Sequence, residues 1–272
     1  VPEQFSINVT LDDEGIGIVE WSGHTDQKTL DEALSLAADD ALIAQGAHRL
    51  EVQVPAWDRM AVRALHNARF RREGVRRRAI RDDSGELADV LCYARLAVDQ
   101  VYGPAGFTGV MDSVLPKHRV IGHVLFRDEQ GRVLLAETTY KTDWELPGGV
   151  VEPDEPPRVG AEREIVEELG IHVQLSQPLV VDWMPPYLGW GDAVEFIFDG
   201  GVLDEATRAR MRLPETEIRA FHWVEPDDVA PHVYSLSARR LARLLTWSDA
   251  DGARAFYTED GREVEASDPS GS

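Results

Sequence analysis

Apolar and polar positions along the first hundred residues switch between two periods. Residues 5–11 and 16–21 alternate on either side of Asp12-Asp13-Glu14-Gly15, which predicts two strands joined by a hairpin turn. From Leu30 through Leu34, Leu36, Ala37, Ala41 and Leu42 the apolar residues recur at near-helical spacing, and Gly46 closes the run. Residues 49–54 alternate again as a strand, and 58–71 read as a second helix ending before Gly74. Strands are predicted at 75–80 and 90–96, separated by the turn Asp82-Asp83-Ser84-Gly85. The predicted order is β-β-α-β-α-β-β.

Tyr102-Gly103-Pro104-Ala105-Gly106 is rich in helix and strand breakers, and no clear periodicity returns before Lys117. A linker over 103–116 is therefore expected between a domain at 1–102 and one at 117–247, followed by a tail at 248–272. Within the second domain, strands are predicted at 119–126 and 133–138 around Asp128-Glu129-Gln130-Gly131, and a helix at 157–169. Further strands are expected at 173–182, 193–198 and 217–224, and a helix at 235–245. Strands, one short helix, more strands and a terminal helix predict a mixed sheet between helices. In the tail, Asp260-Gly261 predicts a short hairpin over 255–264.

Composition narrows the classes. At 272 residues, 43% of them apolar and 28% charged, the chain is expected to be globular, with room for two cores. No run approaches the length of a membrane span, and no basic segment followed by an apolar one opens the sequence, so a cytoplasmic location is expected. The single cysteine, Cys92, has no partner for an intramolecular disulfide and is read as a small buried side chain. A net charge of −21 argues against binding a nucleic-acid polymer through its backbone, which needs Lys and Arg to neutralise phosphates. It leaves small phosphorylated ligands open, because a bound divalent cation inverts the local field.

The densest chemistry lies in LPGGVVEPDEPPRVGAEREIVEELGI, residues 146–171. Pro156 and Pro157 stand where a helix starts, and Gly170 where one stops. Glu164, Glu167 and Glu168 then fall at i, i+3 and i+4, on one face, with Cβ atoms about 5–6 Å apart. Like charges so placed destabilise a helix unless a cation offsets them, and hard divalent cations take carboxylate oxygens. Arg163 alone does not neutralise all three.

Counting from Gly149, five residues precede Glu155, seven more precede Arg163, and Arg163-Glu164-Ile165-Val166-Glu167-Glu168-Leu169-Gly170-Ile171 follows without a gap. This resembles the signature of the Nudix hydrolases at every specified position. The resemblance implies an α/β/α sandwich with a mixed sheet over 117–247, and Mg²⁺-dependent cleavage of the pyrophosphate bond of a nucleoside diphosphate linked to another group, with Mn²⁺ as a substitute. It implies that Glu164, Glu167, Glu168 and the carbonyl of Gly149 hold the metal. One of these glutamates acts as general base, and the sequence leaves open which. Glu155 and Arg163 are expected to tie the loop to the helix by an ion pair. Glu217, with Glu215 as its neighbour, is a candidate additional ligand or base.

Other features leave alternatives open. The loop Trp183-Met184-Pro185-Pro186-Tyr187-Leu188-Gly189-Trp190 carries three aromatics that either stack on a nucleobase or pack the loop down. The eight histidines show no ligand-like pairing, and His118 and His123 are expected to have structural roles. Seven arginines between Arg69 and Arg81 span a helix end, a turn and a strand, and need not share a face.

The N-terminal order, ending in HNARFRREGVRRRAIRDDSGELADVLCYARL, resembles the C-terminal half of a GNAT-type acyltransferase. The glycine-rich loop that cradles the pyrophosphate of acyl-CoA in that family is replaced here by Ser22-Gly23-His24-Thr25-Asp26-Gln27. The domain is therefore read as a partial GNAT-like α/β fold without acyltransferase activity, serving packing, homodimer formation or substrate positioning. The alternatives are a bifunctional protein with a residual acetyl-CoA-dependent transferase, and a non-catalytic nucleotide-sensing regulator.

Overall fold

A computed structural model describes residues 4–187, 189–212, 217–246 and 255–263. The chain divides into two compact units, Val1–Pro116 and Lys117–Ser272.

The first unit runs β1 (Ser6–Leu11), β2 (Ile16–Ser22), α1 (Gln27–Asp39), β3 (Arg49–Pro55), α2 (Arg59–Asn67), β4 (Arg71–Arg81), β5 (Leu87–Leu96) and α3 (Gly103–Val114). Its five-stranded sheet has the order β1-β2-β3-β5-β4, antiparallel except where β2 meets β3. Leu30, Leu34 and Ala38 of α1 and Ala61, Ala64 and Leu65 of α2 share a core with Leu50, Val52 and Val54 of β3. These are the apolar positions that the helical and alternating periods single out.

Three expectations are corrected here. The second helix stops at Asn67 rather than 71, because Arg69 takes a left-handed φ of 66° and Phe70 turns wholly into the core before β4 begins. Residues 103–114 form α3 rather than an irregular linker. Pro104 sits in its first turn, and two of its glycines are close-approach positions: a Cβ at Gly106 would lie 2.4 Å from the Val101 carbonyl oxygen, and one at Gly109 2.7 Å from the Arg71 guanidinium. Cys92 is half-buried, its strand lying between two others without full cover.

The second unit runs β6 (Arg119–Arg127), β7 (Val133–Thr138), β8 (Gly148–Val150), α4 (Pro157–Leu169), β9 (Pro178–Met184), β10 (Ala193–Val202), α5 (Glu205–Arg208), β11 (Ile218–Val224), α6 (Ser235–Thr246), β12 (Phe256–Glu259) and β13 (Arg262–Glu263). The sheet order is β11-β7-β6-β10-β9-β12-β13, with β8 paired to β6. It is mixed: β6 with β10 and β9 with β12 are parallel, the other pairs antiparallel.

Successive residues of β6 serve opposite faces. Leu125 joins Leu241 and Leu244 of α6 on one side, while Val124 and Phe126 join Ala161, Ile165 and Leu169 of α4 on the other. The sheet is thus sandwiched between α4 and α6, the α/β/α architecture expected. The predicted strand at 173–182 begins only at Pro178; Val173 and Leu175 instead pack against the α4 core, and the Leu175 amide donates to Glu162 Oε1 at 2.8 Å. The hairpin at Asp260-Gly261 forms and joins the sheet through β9; residue 264, at its predicted end, lies outside the described residues. Among the described residues no helix is long and apolar enough to cross a membrane.

Candidate active site

The helix α4 occupies the predicted span, and Gly170 ends it with a left-handed φ of 68°. Ahead of it, Gly148 has φ +130°, and a Cβ there would lie 2.2 Å from the Gly122 carbonyl oxygen, so β8 reaches its place against β6 only with glycine. A Cβ at Gly149 would lie 2.8 Å from Cδ of Glu164. The second glycine therefore clears room for a carboxylate directly over the backbone.

Arg163 binds four groups with one guanidinium. Its Nε and Nη2 donate to the two oxygens of Glu155, each at 3.1 Å. Nη1 donates to Glu164 at 2.9 Å and Glu167 at 3.1 Å, and Nη2 also reaches the Val150 carbonyl at 3.3 Å. Glu155 accepts from the Glu152 amide at 3.0 Å as well, and hydrogen bonds from Arg163 and then from that amide hold its carboxyl below the usual range. A planar fork serves these acceptors where an ammonium would not.

Glu168 points the other way. Its Oε2 accepts the Gly148 amide at 2.8 Å, and burial pushes its pKa up to about 7 against that hydrogen bond. Nearby His123 lowers it, while Glu164 and Glu145 raise it further. Burial likewise raises the Glu164 carboxyl, Arg163 pulls it down, and Glu167 and Glu217 add to the rise. Glu217 therefore lies within electrostatic reach of Glu164; it is exposed, at the foot of β11. Glu215 lies outside the described residues.

The donor chemistry here fits a hard divalent cation. Two carboxyls at one Gly-Gly turn, both with raised pKa values, are acids short of positive charge, and carboxylate and carbonyl oxygens are the ligands that Mg²⁺ takes. Among the described residues, no three His, Cys, Asp or Glu side chains already stand close enough to enclose an ion. Glu164 and Glu167 are turned to Arg163, and Glu168 to the Gly148 amide.

The structure brings in residues that spacing did not single out. Glu145, two residues before Pro147, pairs with Lys141 and accepts from the Tyr140 hydroxyl at 3.2 Å. His123 stands behind Gly148, with Nδ1 2.7 Å from Glu195, whose other contact is Arg240 at 2.8 Å. A histidine and a glutamate in alternating, apolar-flanked strands could have been flagged as inward-facing from the period of two alone; their partnership could not. His118 pairs with Asp192 at 2.9 Å, a structural role as expected. In the aromatic loop, Trp183 Nε1 donates to Asp192 at 3.4 Å and Tyr187 stacks on Tyr234 at 4.2 Å, whereas Trp190 is 62% exposed with the Arg119 guanidinium 4.6 Å from its ring centre.

The NUDIX domain family matches residues 116–245. A MutT-like protein from Streptomyces ambofaciens is 35% identical over 155 residues, covering 55% of this chain and 88% of that protein. A CTP pyrophosphohydrolase from Escherichia coli (strain K12) is 40% identical over 62 residues, 21% of this chain and 44% of that protein. Solved structures similar to the N-terminal part include the ribosomal-protein-S5-alanine acetyltransferase from Vibrio fischeri, 18% identical, covering 35% of this chain and 55% of that one at a TM-score of 0.31. The chain belongs to the Nudix family, hydrolases acting on phosphorus-containing anhydrides, and Nudix hydrolases generally use divalent metal ions.

Proposed function

We propose that this protein cleaves the pyrophosphate bond of a small nucleoside diphosphate derivative with Mg²⁺, or Mn²⁺ in its place, held by Glu164, Glu167, Glu168 and the Gly149 carbonyl. The observation that carries the reading is the Gly-Gly turn against α4, where the half-buried Glu168 carboxyl accepts the Gly148 amide at 2.8 Å and the Glu164 carboxyl fills the space that Gly149 leaves, both with raised pKa values. Bound there, a divalent cation would neutralise the phosphate oxygens and acidify a water. Glu168, poised near neutral pH, suits the proton-accepting role. Arg163 fixes the directions of Glu164 and Glu167, and Glu155 holds Arg163. Glu217 adds negative charge at the rim, as a further ligand or base. The enzyme is read as cytoplasmic, acting on free nucleotides and not on a nucleic-acid polymer.

The N-terminal unit is proposed to be a GNAT-like accessory without transferase activity. The anion position at the start of α1 is taken by the chain's own Asp26 carboxylate, which accepts from the Thr29 amide and hydroxyl, each at 2.9 Å.

Wild type and Glu168→Gln incubated with nucleoside triphosphates, ADP-sugars, dinucleoside polyphosphates and NAD-like compounds in Mg²⁺ test the reading. Metal-dependent turnover that falls by about a thousandfold or more in the variant is expected. Absence of turnover by the wild type on every compound would overturn it.

A further inference from the structure

Behind the catalytic turn runs a chain of buried charge that ends outside the residues matched by the family. Glu195 on β10 lies between His123 Nδ1 at 2.7 Å and Arg240 Nη2 at 2.8 Å, and Arg240 Nη1 donates to Asp182 at 2.9 Å. Asp182 then accepts from the Thr258 hydroxyl at 2.6 Å and the Gly261 amide at 3.1 Å, both in the β12–β13 hairpin. Asp182, Glu195, Arg240 and Thr258 are each at most 2% exposed. The family match stops at residue 245, so the hairpin lies beyond it.

At its other end the chain touches the site. His123 pairs with Gly148 across β6 and β8, and its Cα and Cδ2 lie 2.8 and 3.0 Å from where a Gly148 Cβ would be. The imidazole is therefore the wall against which Gly148 rests, and the Gly148 amide is the donor that holds Glu168. Glu195, facing both a guanidinium and the imidazole, is ionised and fixes the ring by accepting from Nδ1. Arg240 is held between two carboxylates on different strands, so its position depends on Asp182 being held in turn.

We propose that Thr258, Asp182, Arg240, Glu195 and His123 form a positioning relay through which the C-terminal hairpin holds the Gly148 amide, and with it Glu168, in working geometry. The relay rests on the hydrolase reading of this turn given above. In a buried charge chain of this kind each member is held by the next, and loss of one hydrogen bond loosens the rest. Outer partners of a metal-binding carboxylate act in this way on affinity and turnover. The C-terminal hairpin would then be a working part of the active site rather than a tail.

Thr258→Val, nearly isosteric and lacking the hydroxyl, is the test, with Thr258→Ser as the rescue. Three readouts on the full chain decide it: amide exchange of the segment 146–150, Mn²⁺ affinity by calorimetry, and kcat against KM. The expected result for Val is faster exchange at 146–150, weaker Mn²⁺ binding, and kcat lower by about tenfold with KM little changed, all restored by Ser. A lower melting temperature with exchange at 146–150, Mn²⁺ affinity and kcat all unchanged would overturn the proposal, leaving the hairpin a purely structural clasp. If Thr258→Val does not fold, Thr258→Ala, which removes the same hydroxyl without placing a methyl against Asp182, is read in the same way. Should the wild type turn over no nucleotide, the hydrolase reading fails, while the exchange and Mn²⁺ data still decide the relay.

Discussion

Two charged clusters meet at Glu168, and they are built on opposite principles. Around Arg163, three glutamates crowd one guanidinium at the surface, with Glu167 57% exposed along its side chain. Around Arg240, two carboxylates lie fully buried and an imidazole nearly so. The first carries surplus negative charge, which suits a site awaiting a cation. In the second, burial would raise the Glu195 pKa, but Arg240 and His123 bring it to about 2; burial would lower that of His123, but Glu195 raises it. The buried cluster is balanced in charge; the one nearer the surface carries an excess of negative charge. The difference separates holding a shape from holding a ligand.

The sharpest break of this comparison is to remove each arginine. Arg240→Met leaves Asp182 and Glu195 buried without their cation, and is expected to cost about 3–5 kcal/mol of stability. Arg163→Met removes the cation from three glutamates that keep partial access to water, and is expected to cost less, about 1–3 kcal/mol. Urea unfolding of the two variants measures both. Equal losses would show that burial does not distinguish the clusters.

A smaller effect follows from the group the clusters share. The Glu168 carboxyl ordinarily ionises near 4.5 and in the folded protein near 7. Its pKa is raised by folding, so its contribution is fully present below pH 4.5 and is lost as pH rises through 7. Glu168→Gln does not ionise. In metal-free buffer the variant should therefore gain on the wild type between these limits and stay level above them, by roughly 2 kcal/mol once partial solvation is allowed for. Mn²⁺ should reverse the order above pH 7 by stabilising the wild type alone. Parallel stability curves for the two proteins would contradict a half-buried Glu168 with a raised pKa.

The same contrast explains what the sequence made legible. The exposed cluster is local: Glu155, Arg163, Glu164, Glu167 and Glu168 lie within one turn and one helix, so spacing alone puts them together, and α4 starts and ends at its predicted residues. The buried cluster draws Asp182, Glu195 and Arg240 from three elements, and meets only once β9 pairs with β10 and α6 covers them. Nothing in the period of two says which inward polar residue faces which. Strand edges failed for a related reason. Val173 and Leu175 have strand-like alternation but spend it on α4, and Gly106 looks like a breaker yet lets α3 approach the Val101 carbonyl closely. Local chemistry was readable, whereas partners chosen by the tertiary fold were not.

The finest test keeps the charge at Arg163 and changes only its shape. Were neutralisation the whole of its task, Arg163→Lys would be silent, since an ammonium offsets a carboxylate as well as a guanidinium does. The structure assigns it more: both oxygens of Glu155, one each of Glu164 and Glu167, and the Val150 carbonyl, all from one plane. A lysine has three donors on a single point and cannot span the loop and a turn of helix at once. Folding stability should shift by less than about 1 kcal/mol, because the contacts are partly solvated. Turnover and Mn²⁺ affinity should each fall by about tenfold, because Glu164 and Glu167 lose their fixed directions. A lysine variant with unchanged kcat would mean that the exposed cluster needs only balance, and that geometry at Glu168 is set wholly from the buried side.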